Sequence, residues 1–290
     1  MRIAAVLHED SWRIGVVTPE TGTVGILPAS AGTVDDVVRS GNLPQPGPFD
    51  VVLDIEKARF GAPIQRFTKN IFCVGWNYWE HFEESAGKRE GQEPAGRPEH
   101  PTFFTKAPNT AIGPQDGISV DSDLSRKWDY EAEVAIVIGK GGRSIPEAHA
   151  AQHIYGYMLA NDVSARDIQR AHGGQWFKGK SIDKTMPMGP WITTADQIVA
   201  PRDILLECVL NGKVLQSAST SLMAFSFARI ISELSLGLTL EPGDVILTGT
   251  PAGIGNARDP QVFLQPGDEL ITRAAGLGQL RNTVASIALV

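Results

Sequence analysis

Residues 128–138 read Trp128-Asp129-Tyr130-Glu131-Ala132-Glu133-Val134-Ala135-Ile136-Val137-Ile138. Beyond its acids this run is apolar and rich in β-branched residues, as a buried strand requires. Tyr130, Val134, Ile136 and Ile138 share one parity, and Glu131, Glu133 and Val137 share the other. A strand therefore sends both glutamates to the same face. Like charges so placed repel, and burial would strip their hydration. A divalent cation offsets both effects, and carboxylate oxygens select a hard ion such as Mg²⁺, Mn²⁺ or Ca²⁺ over zinc. The alternative is a solvated face, which is the better reading for an isolated Glu-x-Glu pair.

Asp162 changes that balance. It follows Leu159-Ala160-Asn161 at the end of a second apolar run, where a strand gives way to a helix. Functional groups concentrate at such junctions. Three carboxylates on two rigid segments make a facial site with open positions. Ser164 reads as the N-cap of the next helix. Arg166 and Gln169, three apart, share a helix face. There they suit a substrate carboxylate and carbonyl, or else a surface salt bridge and a solvated amide. His81 and Glu84 are also three apart, so a carboxylate can orient an imidazole as general base. Lys180, between Trp176-Phe177 and Gly189-Pro190, is suited to neutralise a developing oxyanion or enolate. Lys178 is an equally good surface lysine.

Around these motifs the chain is strand-rich. Ile3–Leu7, Arg13–Thr18 and Thr23–Leu27 read as short strands. They are followed by a helix over Val34–Arg39 capped by Thr33 and ended by Gly41-Asn42. This gives a small N-terminal β-rich domain, residues 1–68, ahead of a larger unit, residues 69–290. Ile71–Gly75 reads as a buried strand and Tyr78–Ser85 as a helix. Pro146–His153 reads as a helix and Tyr155–Ala160 as a strand. Asn211-Gly212 predicts a type I′ hairpin within Leu205–Leu215. Phe227–Leu236 predicts an amphipathic helix stopped by Gly237. Pro242-Gly243-Asp244 and Pro266-Gly267-Asp268 are matching turns into strands. Gly87–Pro101 is charged and nearly free of apolar residues. It is a surface insertion or an active-site lid, with little to choose between them. Strands and helices do not alternate regularly, which argues for an α+β architecture over a doubly wound or TIM-barrel fold.

The 290 residues, 42% hydrophobic, suffice for a substantial core. A net charge of -7 argues against nucleic-acid binding. The longest apolar runs are too short for a membrane span, and Met1–Leu7 reads as a strand rather than a leader. Cys73 and Cys208 lie in apolar runs without CxxC company, so buried free thiols in the cytoplasm are expected.

The ordered motifs resemble those of the fumarylacetoacetate hydrolase family. They are Cys73-Val74-Gly75-Trp76-Asn77-Tyr78…His81, Phe104-Thr105-Lys106, Asp129-Tyr130-Glu131-Ala132-Glu133, Asn161-Asp162-Val163-Ser164-Ala165-Arg166-Asp167, Lys180-Ser181-Ile182-Asp183 and Thr248-Gly249-Thr250-Pro251-Ala252-Gly253. The resemblance covers roughly the last three-quarters of the chain. It implies a mixed β-sandwich roll from about residue 70, a homodimer, and Mg²⁺ or Mn²⁺ on Glu131, Glu133 and Asp162. It implies a lid bearing His81 and Glu84, a pocket lined by Lys180, Arg166 and Gln169, and substrate contact from Thr250. Trp76 departs from it, being bulkier than the small or polar residue expected there.

The first reaction expected is hydrolysis of a C–C bond in an acylpyruvate-like 2,4-dioxo acid. His81, oriented by Glu84, would deprotonate water. The cation and Lys180 would stabilise the departing enolate. Oxaloacetate decarboxylation or hydroxyheptadienedioate isomerisation would use the same site without water attack. A non-catalytic metal-binding protein is the third reading, disfavoured by His81, Glu84 and Lys180 together.

Overall fold

The strand Ala132–Ile138 is buried along its whole length. It pairs antiparallel with Ile154–Asn161 on one side and Val245–Leu247 on the other. In this computed structural model, which describes residues 1–45, 47–88, 94 and 96–288, that strand lies inside an 11-stranded sheet. Val134, Ile136 and Ile138 belong to one core cluster; Ala135 and Val137 belong to another. Both faces of the strand are thus covered, which explains its nearly unbroken apolar run.

From Ala132–Ile138 the sheet extends through Ile154–Asn161 and Met186–Thr194 to Arg2–His8, Ser11–Thr18, Thr23–Ile26 and Val51–Asp54. In the other direction it runs through Val245–Leu247 to Ile71–Gly75 and Thr102–Lys106. Val245–Leu247 and Ile71–Gly75 pair parallel, and Ala111–Ile112 adds parallel to Met186–Thr194. Every other pair along the path is antiparallel. The strands of residues 1–68 therefore continue the main sheet, joined to it by pairing of Arg2–His8 with Met186–Thr194.

A second sheet of five strands orders Lys213–Ser219, Leu205–Leu210, Glu269–Ala274, Gly278–Ser286 and Ile118–Val120. Its Leu206, Cys208, Leu270 and Leu280 share a core with Val134 and Ile136. Among the described residues, these two large sheets, two small two-stranded ones and few helices form the mixed α+β arrangement expected from the sequence, without a closed barrel.

Among the described residues, five short α-helices decorate the sheets: α1 (Val34–Ser40), α2 (Trp79–Glu84), α3 (Arg166–Ala171), α4 (Phe177–Lys180) and α5 (Phe227–Ser235). Thr33 caps α1 with a capping box, and Gly41 ends it in the left-handed region at φ 70°. Asn211 and Gly212 take positive φ of 50° and 78°, as a type I′ turn needs. Both cysteines are buried and free. Among the described residues, no helix is long and apolar enough to cross a membrane.

Three local expectations need correction. The strand read over 128–138 is broken: Trp128–Asp129 pairs with Ser164–Ala165, and the main run starts at Ala132. The break arises because Tyr130 and Glu131 donate their N–H groups to the Asp129 and Asn161 side chains. Ser164 does not cap α3; its hydroxyl donates to the Asp162 carbonyl at 2.8 Å, and Ala165 holds the N-cap position. Pro146–His153 coils as a 3₁₀ segment, Glu147–His153, rather than an α-helix. Residues 89–93 and 95, within the Gly87–Pro101 segment read as insertion or lid, lie outside the described residues.

Candidate active site

Glu131, Glu133 and Asp162 come together as the sequence suggests. Each offers a carboxylate oxygen within 4.8 Å of the others, and all three are buried. Glu131 sits in the break before the main strand and Glu133 is its second residue. Asp162 follows the end of the paired strand, where its N–H donates to the Glu131 carbonyl at 2.8 Å. The site is therefore pinned by the antiparallel pairing of two central strands. A solvated face is excluded: Glu133 is 1% exposed and Asp162 0%.

Buried cations surround the acids. Lys180 Nζ donates to Glu131 Oε2 at 2.6 Å and Asp162 Oδ2 at 2.7 Å. Lys106 Nζ, fully buried, donates to Asp162 Oδ1 at 2.6 Å. Arg166 donates to Asp129 Oδ2 at 2.8 Å through Nε and to Glu131 Oε1 at 2.5 Å through Nη2. Its Nη1 reaches Gln169 Oε1 at 3.2 Å. The helix face predicted for Arg166 and Gln169 is real, but here the guanidinium grips carboxylates of the protein.

The electrostatics separate the two glutamates. Burial would raise the Glu131 carboxyl, but Lys180 and Arg166 outweigh it and hold it well below the usual range. Burial, then the charges of Asp162 and Glu131, push Glu133 well above its ordinary value. Four buried carboxylates, counting Asp129, stand against three buried cations. A further positive charge among Glu131, Glu133 and Asp162 would offset this repulsion and burial. The all-oxygen donor set suits a hard divalent cation. The residues present thus fit such an ion.

One loop aims the remaining acids. Gly249 donates its N–H to Glu133 Oε2 at 2.6 Å. Gly253 donates to Glu84 Oε2 at 2.8 Å, and Gly255 to Asp129 Oδ1 at 2.7 Å. Glu84 Oε1 in turn meets His81 Nδ1 at 2.8 Å, forming the expected dyad on α2. Thr250 Oγ1 donates to the Ala132 carbonyl at 2.9 Å and accepts from Gln216 at 2.8 Å, so its hydroxyl is committed to the scaffold. A cavity of about 70 Å³ is lined by His81, Glu131, Glu133, Arg166, Gln169, Lys180 and Thr250. All nine expected site residues but Asp162 and Glu84 line it directly, and those two touch lining groups.

Residues 70–285 match the model of the fumarylacetoacetate (FAA) hydrolase C-terminal family. This chain belongs to the fumarylacetoacetate hydrolase family. Oxaloacetate tautomerase YisK of Bacillus subtilis is 40% identical to it over 230 residues, covering 79% of this chain and 74% of that protein. The mitochondrial oxaloacetate tautomerase FAHD2A of Bos taurus is 40% identical over 234 residues, covering 80% of this chain and 71% of that protein. A fumarylacetoacetate hydrolase from Exiguobacterium antarcticum superposes with TM-score 0.86 at 37% identity, covering 99% of this chain and 100% of that one. A 2-hydroxyhepta-2,4-diene-1,7-dioate isomerase from Mycobacterium marinum gives TM-score 0.78 at 30% identity, covering 99% and 98% of the two chains.

Within this family member, the sequence reading left Lys106, Asp129 and the glycine-loop donors without roles. Lys106 and Asp129 stand in the family-like motifs, but nothing local distinguishes a buried lysine from a surface one. Lys178, the rival of Lys180, is exposed. Trp76 holds a left-handed backbone at φ 56°, which costs a non-glycine residue about 1–2 kcal/mol.

Proposed function

We propose that this enzyme interconverts the enol and keto forms of a small 2-oxo dicarboxylic acid, with oxaloacetate the first candidate. The observation that carries this is the cluster of Glu131, Glu133 and Asp162 oxygens within 4.8 Å of one another, beside a cavity of about 70 Å³ lined by Lys180 and by His81, which Glu84 holds. Relatives 38–40% identical bear the name oxaloacetate tautomerase, which supports the same choice.

Mg²⁺ or Mn²⁺ on Glu131, Glu133 and Asp162 would supply Lewis-acid polarisation of the 2-oxo group, lowering the cost of an adjacent carbanion. His81, fixed through Nδ1 by Glu84, presents its other ring nitrogen to take the proton from C3. Lys180 donates a hydrogen bond to the 2-oxo oxygen as negative charge grows there. A proton from solvent then completes the enol, and the reverse sequence returns the ketone. Arg166 holds Glu131, Gln169 braces Arg166 and one wall, and the Thr250 backbone would face the acid. We place the enzyme in the cytoplasm as a homodimer.

Isomerisation of a hydroxydienedioate needs the same proton transfers, and the Mycobacterium marinum neighbour favours it as the second reading. Hydrolytic C–C cleavage, the first expectation from sequence, demands an added water attack and draws support from the Exiguobacterium neighbour's name. Decarboxylation of oxaloacetate would share the enolate. A panel of enol-oxaloacetate, an acylpyruvate and a hydroxydienedioate with Mg²⁺ or Mn²⁺ separates these. Enol decay is followed by ultraviolet absorbance and products by mass. Accelerated enol decay without mass loss is expected; cleavage of the acylpyruvate alone would overturn the proposal.

A further inference from the structure

We propose that Trp76 sets the length of the acid that the site accepts. The inference rests on the proposed 2-oxo acid chemistry and names the residue that limits its substrate class. Trp76 lines the same cavity as Glu131, Glu133 and Lys180. It leaves the strand Ile71–Gly75 at φ 56°, a backbone region in which glycine is at ease and tryptophan is not. Strain retained beside a site points to a use for the side chain it places there.

The indole is held firmly. It meets Phe82 edge-on at 5.8 Å and Trp176 at 4.9 Å between ring centroids. Trp176 continues to Phe104 at 5.2 Å, and Lys180 Nζ lies 5.2 Å from the centre of the Phe104 ring. Gly75 permits this wall to close, because a Cβ there would stand 2.5 Å from Trp176 Cζ3. An aromatic wall therefore runs from α2 to the ammonium that bridges Glu131 and Asp162. On this proposal the wall leaves room for a four-carbon acid bound at the oxygens and resists each methylene added toward Trp76.

The test is binding and turnover of a chain-length series in Mn²⁺: oxalate, 2-oxoglutarate, 2-oxoadipate and 2-oxopimelate by calorimetry, with enol-oxaloacetate turnover beside it. Trp76→Gly suits the backbone it replaces, and Trp76→Phe keeps a smaller ring. In the wild type, affinity should fall as the chain lengthens. Trp76→Gly should improve the affinity for 2-oxopimelate relative to oxalate by about tenfold or more, with Trp76→Phe between. The same length dependence in all three proteins overturns the role of Trp76. Absence of binding by any 2-oxo acid, with enol-oxaloacetate untouched by the wild type, sinks the proposed function and this inference with it. A fixed length dependence beside active turnover sinks the inference alone.

Discussion

Gly249 N–H donates to Glu133 Oε2 at 2.6 Å, so this carboxylate of the cluster is aimed by backbone while Glu131 and Asp162 are gripped by lysines. Gly249 holds φ 98°, and a Cβ there would stand 2.7 Å from Asn77 Cβ and 3.1 Å from the Val74 carbonyl. Gly249→Ala must shift the loop, and the loop carries the N–H. Supporting contacts of this kind are worth about 10–100-fold in metal affinity. Manganese titration of Gly249→Ala by calorimetry should show a loss in that range; wild-type affinity would remove the loop from any role in holding the ion.

Metal dependence itself is open to a direct test. Glu131→Gln combined with Glu133→Gln should abolish both manganese binding and turnover. In the wild type, chelator should stop turnover and Mg²⁺ or Mn²⁺ should restore it. An ion at about 100 times its dissociation constant stabilises a protein that binds it by about 2.7 kcal/mol. Added metal should therefore raise the melting temperature of the wild type and leave the double variant unmoved. Turnover that persists in chelator would refute the metal assignment.

Lys106 bears on stability more than on chemistry. Its ammonium is wholly buried between Asp162 Oδ1 at 2.6 Å and the Val163 carbonyl at 3.1 Å. Breaking a buried ion pair by removing one partner costs about 3–5 kcal/mol. Lys180 still touches Asp162, so Lys106→Met should fall at the lower end of that range in urea unfolding without added metal. A cost below about 1 kcal/mol would put Lys106 in the class of dispensable surface charges.

How much of this is legible in the sequence follows from the range of each interaction. The α1 cap, the Asn211-Gly212 hairpin and the Ile71–Gly75 strand were readable because their causes lie within a few residues. Glu131, Glu133 and Asp162 were readable because strand periodicity and one junction place them. The break at Tyr130–Glu131 was hidden, since it depends on Asn161, 30 residues away. The grip of Arg166 on Asp129 and Glu131 was hidden for the same reason, and from sequence the arginine is equally a substrate clamp. The N-terminal strands read as a unit apart because their pairing with Met186–Thr194 spans most of the chain.

Variants of His81 and Glu84 test whether the proposed proton transfer is separate from metal holding. His81 lines the cavity, yet the cluster able to hold an ion consists of carboxylates alone. A positioned acid–base group is worth about 10²–10⁴-fold in rate. His81→Ala should lose turnover on that scale while manganese affinity stays within about threefold of wild type. Glu84→Gln should lose less, because Gly253 N–H still anchors the side chain. If His81→Ala costs affinity and rate in equal measure, the histidine belongs to the metal site and proton transfer must be assigned elsewhere.

Far from the site, α1 offers a check on the electrostatics. Hydrogen bonds from Arg66, then Thr33, lower the Asp36 carboxyl from 3.8 to about 2. The folded value lies below the unfolded one, so the stabilisation is fully present above pH 3.8 and is lost as pH falls through about 2. The Asp36 side chain is 49% exposed, and solvent screening keeps its worth below about 1 kcal/mol. Thr33→Ala removes the cap, costs about 1 kcal/mol, and should shrink the acid dependence as well. Urea unfolding of wild type and Asp36→Asn should differ most at neutral pH and converge in acid. A gap that widens as pH falls would reverse the sign and show that the carboxylate is not held ionised in the folded protein.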